Sequence, residues 1–230
     1  MKLSKSYLRI LFKDENRAHK IVVWFLLVIM MIEWIFLLFD GEWLSLFLVT
    51  LIISVLFAPV IFKKRIDVEL PAELHLLGVI FAFAALYLGE IQQFYELIWW
   101  WDIALHTTAG LMMGILGFLL VYILNETSRV DVRMKPGFIA FFAFTFAVTI
   151  GTFWEIFEYS MDQFFGLNMQ KPMWGDPSGL TDTMWDMIVN AIGAFVVCIS
   201  GYWYLKKGKG FFIKSVIQRF IEKNPSLFKE

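Results

Sequence analysis

The sequence predicts an all-α, polytopic membrane protein with about six transmembrane helices and both termini cytoplasmic. Three observations predict it. Of 230 residues, 59% are hydrophobic and only 18% charged, with 25 Phe and 10 Trp; soluble domains carry more charge and fewer aromatics. Apolar runs of about 20 residues recur along the chain, the length that crosses a hydrocarbon core. Nineteen of the 20 Lys and Arg residues fall in 1–20, 63–65, 126–136 and 206–230, all on one side of the alternating spans, and only Lys171 falls on the other. Basic loops stay cytoplasmic, so this bias orients the chain.

Taken in order, residues 1–20 are basic and partly amphipathic, an arm for an anionic membrane surface. His19, between Arg17 and Lys20, reads as solvated. The first apolar run, 21–39, lacks a small-residue cleavage pattern and is followed at once by another, so it reads as a span and not a cleaved signal. A short turn at Asp40, Gly41 and Glu42 leads into the second span, 43–62, with Pro59 near its end. Lys63, Lys64 and Arg65 stop it. The third, 72–88, opens with Glu73 and His75, read as boundary residues, and runs into the polar tail 89–96. Trp99, Trp100 and Trp101 form an interfacial aromatic belt. The fourth span, 103–124, carries Gly110, Gly114 and Gly117, which permit close helix approach. The fifth is 137–159, and the sixth, 183–205, carries Asn190, Gly193 and Gly201. Between them a loop of about twenty residues, 160–181, is punctuated by Pro172, Gly175, Pro177 and Gly179.

The organisation reads as one transmembrane domain, 1–205, followed by a basic amphipathic tail, 206–230. The single Cys198 lies mid-span. It supports no disulfide framework or thiolate metal site and reads as a small buried apolar residue. Nothing points to a nucleic-acid partner; membrane lipids are the expected surroundings, and the bacterial plasma membrane the expected location.

The informative residues are acids at the outward ends of three spans. Asp102 and His106 are four apart in WDIALH. Glu155, Glu158 and Asp162 stand three and four apart in WEIFEYSMD. Asp182, Asp186 and Asn190 repeat at four in DTMWDMIVN. Such spacings keep each set on one helical face. Ionisable groups beside lipid need a partner, a water-filled cavity or a function. Three outcomes would neutralise the cluster: a divalent cation, a basic partner, or protons shared among the carboxyls and His106. With only Lys171 on that side, the choice narrows to metal or shared protons. Carboxylates with one imidazole suit zinc, manganese, iron or magnesium.

In the metal reading the ligands are Asp102, His106, Glu155 and Asp186, with Glu158 or Asp182 as general base and Asn190, Glu90, Glu96 and Asp176 in support. The competing structural reading makes Glu158, Asp162 and Asp176 solvated interfacial acids, Asp102 and Asp182 helix caps, and the rest a polar network between helices.

These motifs resemble a family of small bacterial inner-membrane proteins, the YjdF-like proteins. The shared pattern is Asp-x3-His opening one span, a Glu-bearing span, then Gly-Asp and Asp-x3-Asp before a Gly-Ala helix. Here it reads WDIALH, WEIFEY, GDPSGLTDTMWD and NAIGA, across roughly 90–200. More distantly the chain is similar to VanZ-like proteins, through Asp186, Asn190 and Gly193. Glu158 stands where that family usually has Gln. The resemblance implies an envelope protein touching lipid or cell-wall chemistry.

Three functions from different classes follow. The first is a metal-dependent hydrolase or transferase acting at the outer leaflet on a lipid-linked or headgroup substrate. The second is a non-catalytic envelope or antibiotic-stress protein binding a lipid or a cationic ligand. The third, a proton-coupled transporter, ranks last, because the cytoplasmic halves of the last three spans are almost purely apolar and no inverted repeat is visible.

Overall fold

The structure is a computed structural model that describes residues 17–66, 68–126, 134–208 and 211–227. The amphipathic reading of 1–16 and the basic loop 127–133 lie outside the described residues. Within them the chain is helical and contains no strand. The helices are α1 (Arg17–Asp40), α2 (Trp43–Leu56), α3 (Ala58–Ile66), α4 (Ala72–Ala82), the four-residue α5 (Phe94–Leu97), α6 (Trp101–Glu126), α7 (Pro136–Phe165), α8 (Leu180–Lys207) and α9 (Phe211–Lys223). Helix α4 continues as a π-helical stretch, Phe83–Ile91.

Five of these stretches are long and apolar enough to cross a membrane, and a sixth is added if α2 and α3 count as one span bent by 57°. The break has a local cause. Pro59 has no N–H to offer the Val55 carbonyl and crowds it. The Phe57 amide is instead shared between the carbonyls of Ile53 and Ser54, at 3.2 Å each.

The described residues form two compact units. The first lies within Met1–Ile98 and takes in Gln218–Pro225. Val23, Leu26, Met30 and Leu37 recur on one face of α1 at helical spacing. They pack with Val49, Ile52, Leu56, Val60 and Val79 of α2, α3 and α4 in two adjoining clusters. His19 is not solvated as expected: it is only 4% exposed, and its Nε2 lies 3.0 Å from Nδ1 of the equally buried His75. Helix α1 begins at Arg17, which carries His19 into the packed face, where the polar ring finds its partner on α4. The segment after α9 is held by Asn224. Its Oδ1 accepts the Glu69 amide at 2.7 Å and its Nδ2 donates to the Glu69 carbonyl at 2.8 Å. Arg219 pairs with Glu73 beside it.

The second unit holds α6, α7 and α8, and glycines set its geometry. A Cβ on Gly110 would strike the Asn190 backbone carbonyl, and one on Gly193 would strike the Thr107 carbonyl. Helices α6 and α8 therefore cross backbone to backbone. A Cβ on Gly151 would collide with the Asn190 side-chain amide, which seats α7 against the same point of α8. Asn190 also donates to the Ala147 carbonyl at 3.4 Å. Cys198 is buried nearby along α8, as the small apolar residue expected.

Candidate functional site

The crossing fixes what lies one turn away from it. Four residues from Gly110 is His106, four from Gly151 is Glu155, and four from Asn190 is Asp186. The steps run toward the start of α6 and toward the ends of α7 and α8 that loop 166–179 joins. Because the crossing backbones touch, these side chains share one small volume. His106, Glu155, Glu158, Asp182, Asp186 and Asn190 are all buried, Asp186 completely.

His106 stands at the centre, and its two nitrogens face different partners. Nε2 lies 3.3 Å from Asp102 Oδ1 and 3.9 Å from Asp186 Oδ2. Nδ1 lies 3.5 Å from Glu155 Oε1. Two groupings bring ligand atoms within 4.8 Å of one another: Asp102, His106 and Asp186 on one side, and His106, Glu155 and Glu158 on the other. Bonds of about 2.0–2.2 Å to one ion place its ligand atoms about 3–4 Å apart, so the first grouping needs little adjustment. One ion cannot use both ring nitrogens. The four ligands drawn from the sequence therefore divide across the imidazole, with Glu155 on the face away from Asp102 and Asp186.

The hydrogen-bond inventory separates the acids into two kinds. Glu158 accepts the Trp154 indole N–H at 2.9 Å. Asp162 accepts the Met169 and Gln170 amides at 2.7 and 2.9 Å, and Asp182 accepts the Lys171 amide at 2.7 Å. These three bonds hold successive loop amides against α7 and α8. Asp176 accepts from both the amide and hydroxyl of Ser178 and of Thr181. The Ser178 hydroxyl leads the donors that hold its carboxyl far below the usual carboxylate range. By contrast, neither oxygen of the fully buried Asp186 receives a hydrogen bond from any described residue, while Glu155 faces the Thr183 hydroxyl as a donor. Buried polar groups left without partners are rare, and they ask for an explanation such as an ion.

The capping expectation for Asp182 needs correction. Helix α8 begins after Gly179, and it is Asp176 that binds the amide of Thr181 in the first turn. Asp182 faces inward and holds the loop. Glu90 and Glu96 are exposed and belong to the first unit. The residues that sequence reasoning did not single out are Trp154 and the loop amides 169–171. Trp154 lies one turn from Glu158, a spacing that could have suggested the pair.

Three close-packed spans around a buried His-carboxylate cluster define the class: a helical, multi-pass membrane protein. Residues 22–207 match the model of a family described as predicted membrane protein, DUF2238, and the chain belongs to that family. It is also similar to an uncharacterised protein of Thermotoga maritima, 29% identical over 156 residues, covering 68% of this chain and 74% of that one. No solved structure matches. The family match agrees in coarse form with the resemblance to bacterial membrane proteins drawn from the motifs; nothing in the comparisons supports the VanZ-like likeness.

Proposed function

We propose that Asp102, His106 and Asp186 hold a divalent cation on the Nε2 side of the imidazole, facing outward across the bacterial plasma membrane, with the termini cytoplasmic. The observation that carries this reading is the fully buried Asp186, with no hydrogen bond to either oxygen, packed with a second buried carboxylate, Glu155, around one histidine. A single imidazolium can balance one carboxylate; the others need protons or a cation. Glu155, 3.5 Å from Nδ1, would then take the second-sphere role, closing onto the Nδ1 proton and fixing which ring nitrogen faces the ion. The order of motifs suggests that the DUF2238 family includes the YjdF-like proteins.

A cation held there would act as a Lewis acid on a phosphate or ester of a lipid-linked or headgroup substrate. Zinc, manganese, iron and magnesium all accept such ligands. Glu158 is the better placed general base, because Asp182 already holds the Lys171 amide. The binding-only alternative, with a cationic ligand in the acidic bowl, draws on the same surplus of carboxylate.

Elemental analysis of the freshly purified protein tests the reading. We expect bound divalent metal in the wild type, its loss in Asp102→Asn, His106→Ala and Asp186→Asn, and its retention in Glu158→Gln. Glu155→Gln should weaken metal affinity about 10–100-fold, the usual effect of removing an outer-shell partner. Equal metal in all variants, or none in the wild type, sinks the metal site and leaves the binding-only reading. Export of a reporter fused to the C-terminus would reverse the sidedness.

A further inference from the structure

The tip of loop 166–179 is built against the preference of its own residue. Met173 and Asp176 exchange both backbone hydrogen bonds, at 3.2 and 3.0 Å, and close a two-residue turn. Its central residues, Trp174 at φ 48° and Gly175 at φ 87°, are both left-handed. Positive φ at both central positions is the type I′ pattern, which favours Asn-Gly. A bulky side chain at positive φ is an outlier. Strain persists where the surroundings enforce it and marks positions with a task; here the four hydrogen bonds to Asp176 do the enforcing.

Internal packing does not account for the tryptophan. Its ring stands edge-on to Trp185 at 5.0 Å, yet Trp174 remains 64% exposed. The same end of the unit exposes Phe164 at 81% and Phe165 at 69%. These side chains continue the exposed apolar surface of the spans themselves, formed by Phe153, Ile156 and Phe157 on α7 and by Met184, Ile188 and Ile192 on α8.

Helix length gives the depth. Helix α8 has 28 residues and ends in Lys206 and Lys207. At about 1.5 Å per residue it is about 42 Å long, which matches a bilayer with its headgroups, about 40–45 Å. With the lysines at one headgroup layer, the Leu180 end and the turn beside it reach the other. Tryptophan is the residue enriched at that level.

We propose that the turn 173–176, together with Phe164 and Phe165, inserts into the headgroup layer of the bilayer and anchors loop 166–179 to the leaflet. The occupant of this apolar surface is membrane lipid. The inference stands apart from the metal reading: it needs no ligand at His106. Its consequence is that the loop, whose Lys171 amide is held by Asp182, is tied at once to the buried cluster and to the lipid above it.

The test uses the full chain with Cys198→Ala and Pro172→Cys, labelled at residue 172 with an environment-sensitive dye. The protein is reconstituted in phosphatidylcholine–phosphatidylglycerol vesicles with iodide on both sides. Lipids brominated near the head end of their chains should quench the dye severalfold better than iodide does. Adding Trp174→Asn should reverse that order, while thermal stability in detergent holds or rises because asparagine fits the turn. A second variant, Phe164→Ser with Phe165→Ser, leaves the turn intact and should shift quenching the same way by less. Unchanged quenching in both, or a fall in Tm with quenching unchanged, would assign Trp174 to internal packing and overturn the proposal.

Discussion

The two units pack apolar helices by opposite means. In the first, side chains interlock, and polar groups meet identified partners: His19 with His75, the Trp34 indole with Thr50 at 2.9 Å, and Asn224 with both backbone groups of Glu69. In the second, glycines bring backbones into contact at Gly110 and Gly193, and Gly151 admits the Asn190 side chain. The polar residues one turn away are forced into one volume with more acceptors than donors. Buried polar groups tend to be satisfied, and the first unit satisfies most of its own, with His75 Nε2 left over. In the second unit the fully buried Asp186 is left without a donor, the feature on which the proposed cation site rests.

The largest expected effect breaks that contrast at its origin. Gly110→Leu drives a side chain into the Asn190 carbonyl, where neither backbone can yield. Overpacking a tight core costs about 1–3 kcal/mol and sometimes more, so the detergent-solubilised protein should melt well below wild type and lose any bound metal. Gly41→Ala is the matched control in the first unit, with nothing within 4 Å of the added carbon and only a φ of +75° to resist it. A cost of about 1 kcal/mol is expected there. Equal melting of the two variants would remove the glycine crossing as the distinguishing feature.

A middle-sized effect sharpens the contrast from the other side. Asn224→Ala leaves the amide and carbonyl of Glu69 without the partners they have now. Breaking such buried bonds costs about 1–3 kcal/mol. Hydrogen exchange at Glu69 should accelerate while metal content stays that of wild type. Loss of metal in this variant would show that the two units do not act separately.

The smallest effect compares a satisfied acid with the unsatisfied one. Asp176 has a lowered folded-state pKa, so its contribution to loop order is fully present above the unfolded value, about 3.9. It is lost only as pH falls through the depressed folded value. Amide protection at Ser178 and Thr181 should therefore persist through the range where ordinary carboxylates protonate. Early loss of protection, near the normal aspartate range, would mean that the four hydrogen bonds do not hold the loop in solution.

Much of this was legible in the sequence, for a physical reason. A span must be about 20 apolar residues long wherever it sits, so composition and run length expose the helical membrane class without any contact information. Helical periodicity likewise put Asp102 with His106 and Asp186 with Asn190 on shared faces. The 57° break between α2 and α3 was half-legible: Pro59 was visible, but the size of a bend depends on what the helix packs against. The burial of His19 was not legible, because a histidine between Arg17 and Lys20 looks solvated until α4 supplies His75 as its partner. Nor did the sequence reveal that Asp162 and Asp182 spend their oxygens on loop amides 169–171, since those bonds join residues seven to eleven positions apart through a loop with no regular period.

By itself, then, the sequence determined the class, the helices and the set of acids, because each follows from local composition and period. The tertiary structure decided which acids face which side of His106, which are already satisfied, and which remain without donors. Those properties depend on α6 and α8 touching at Gly110 and Gly193 and on α7 seating Gly151 against the Asn190 side chain, and contact between distant segments is not a local quantity.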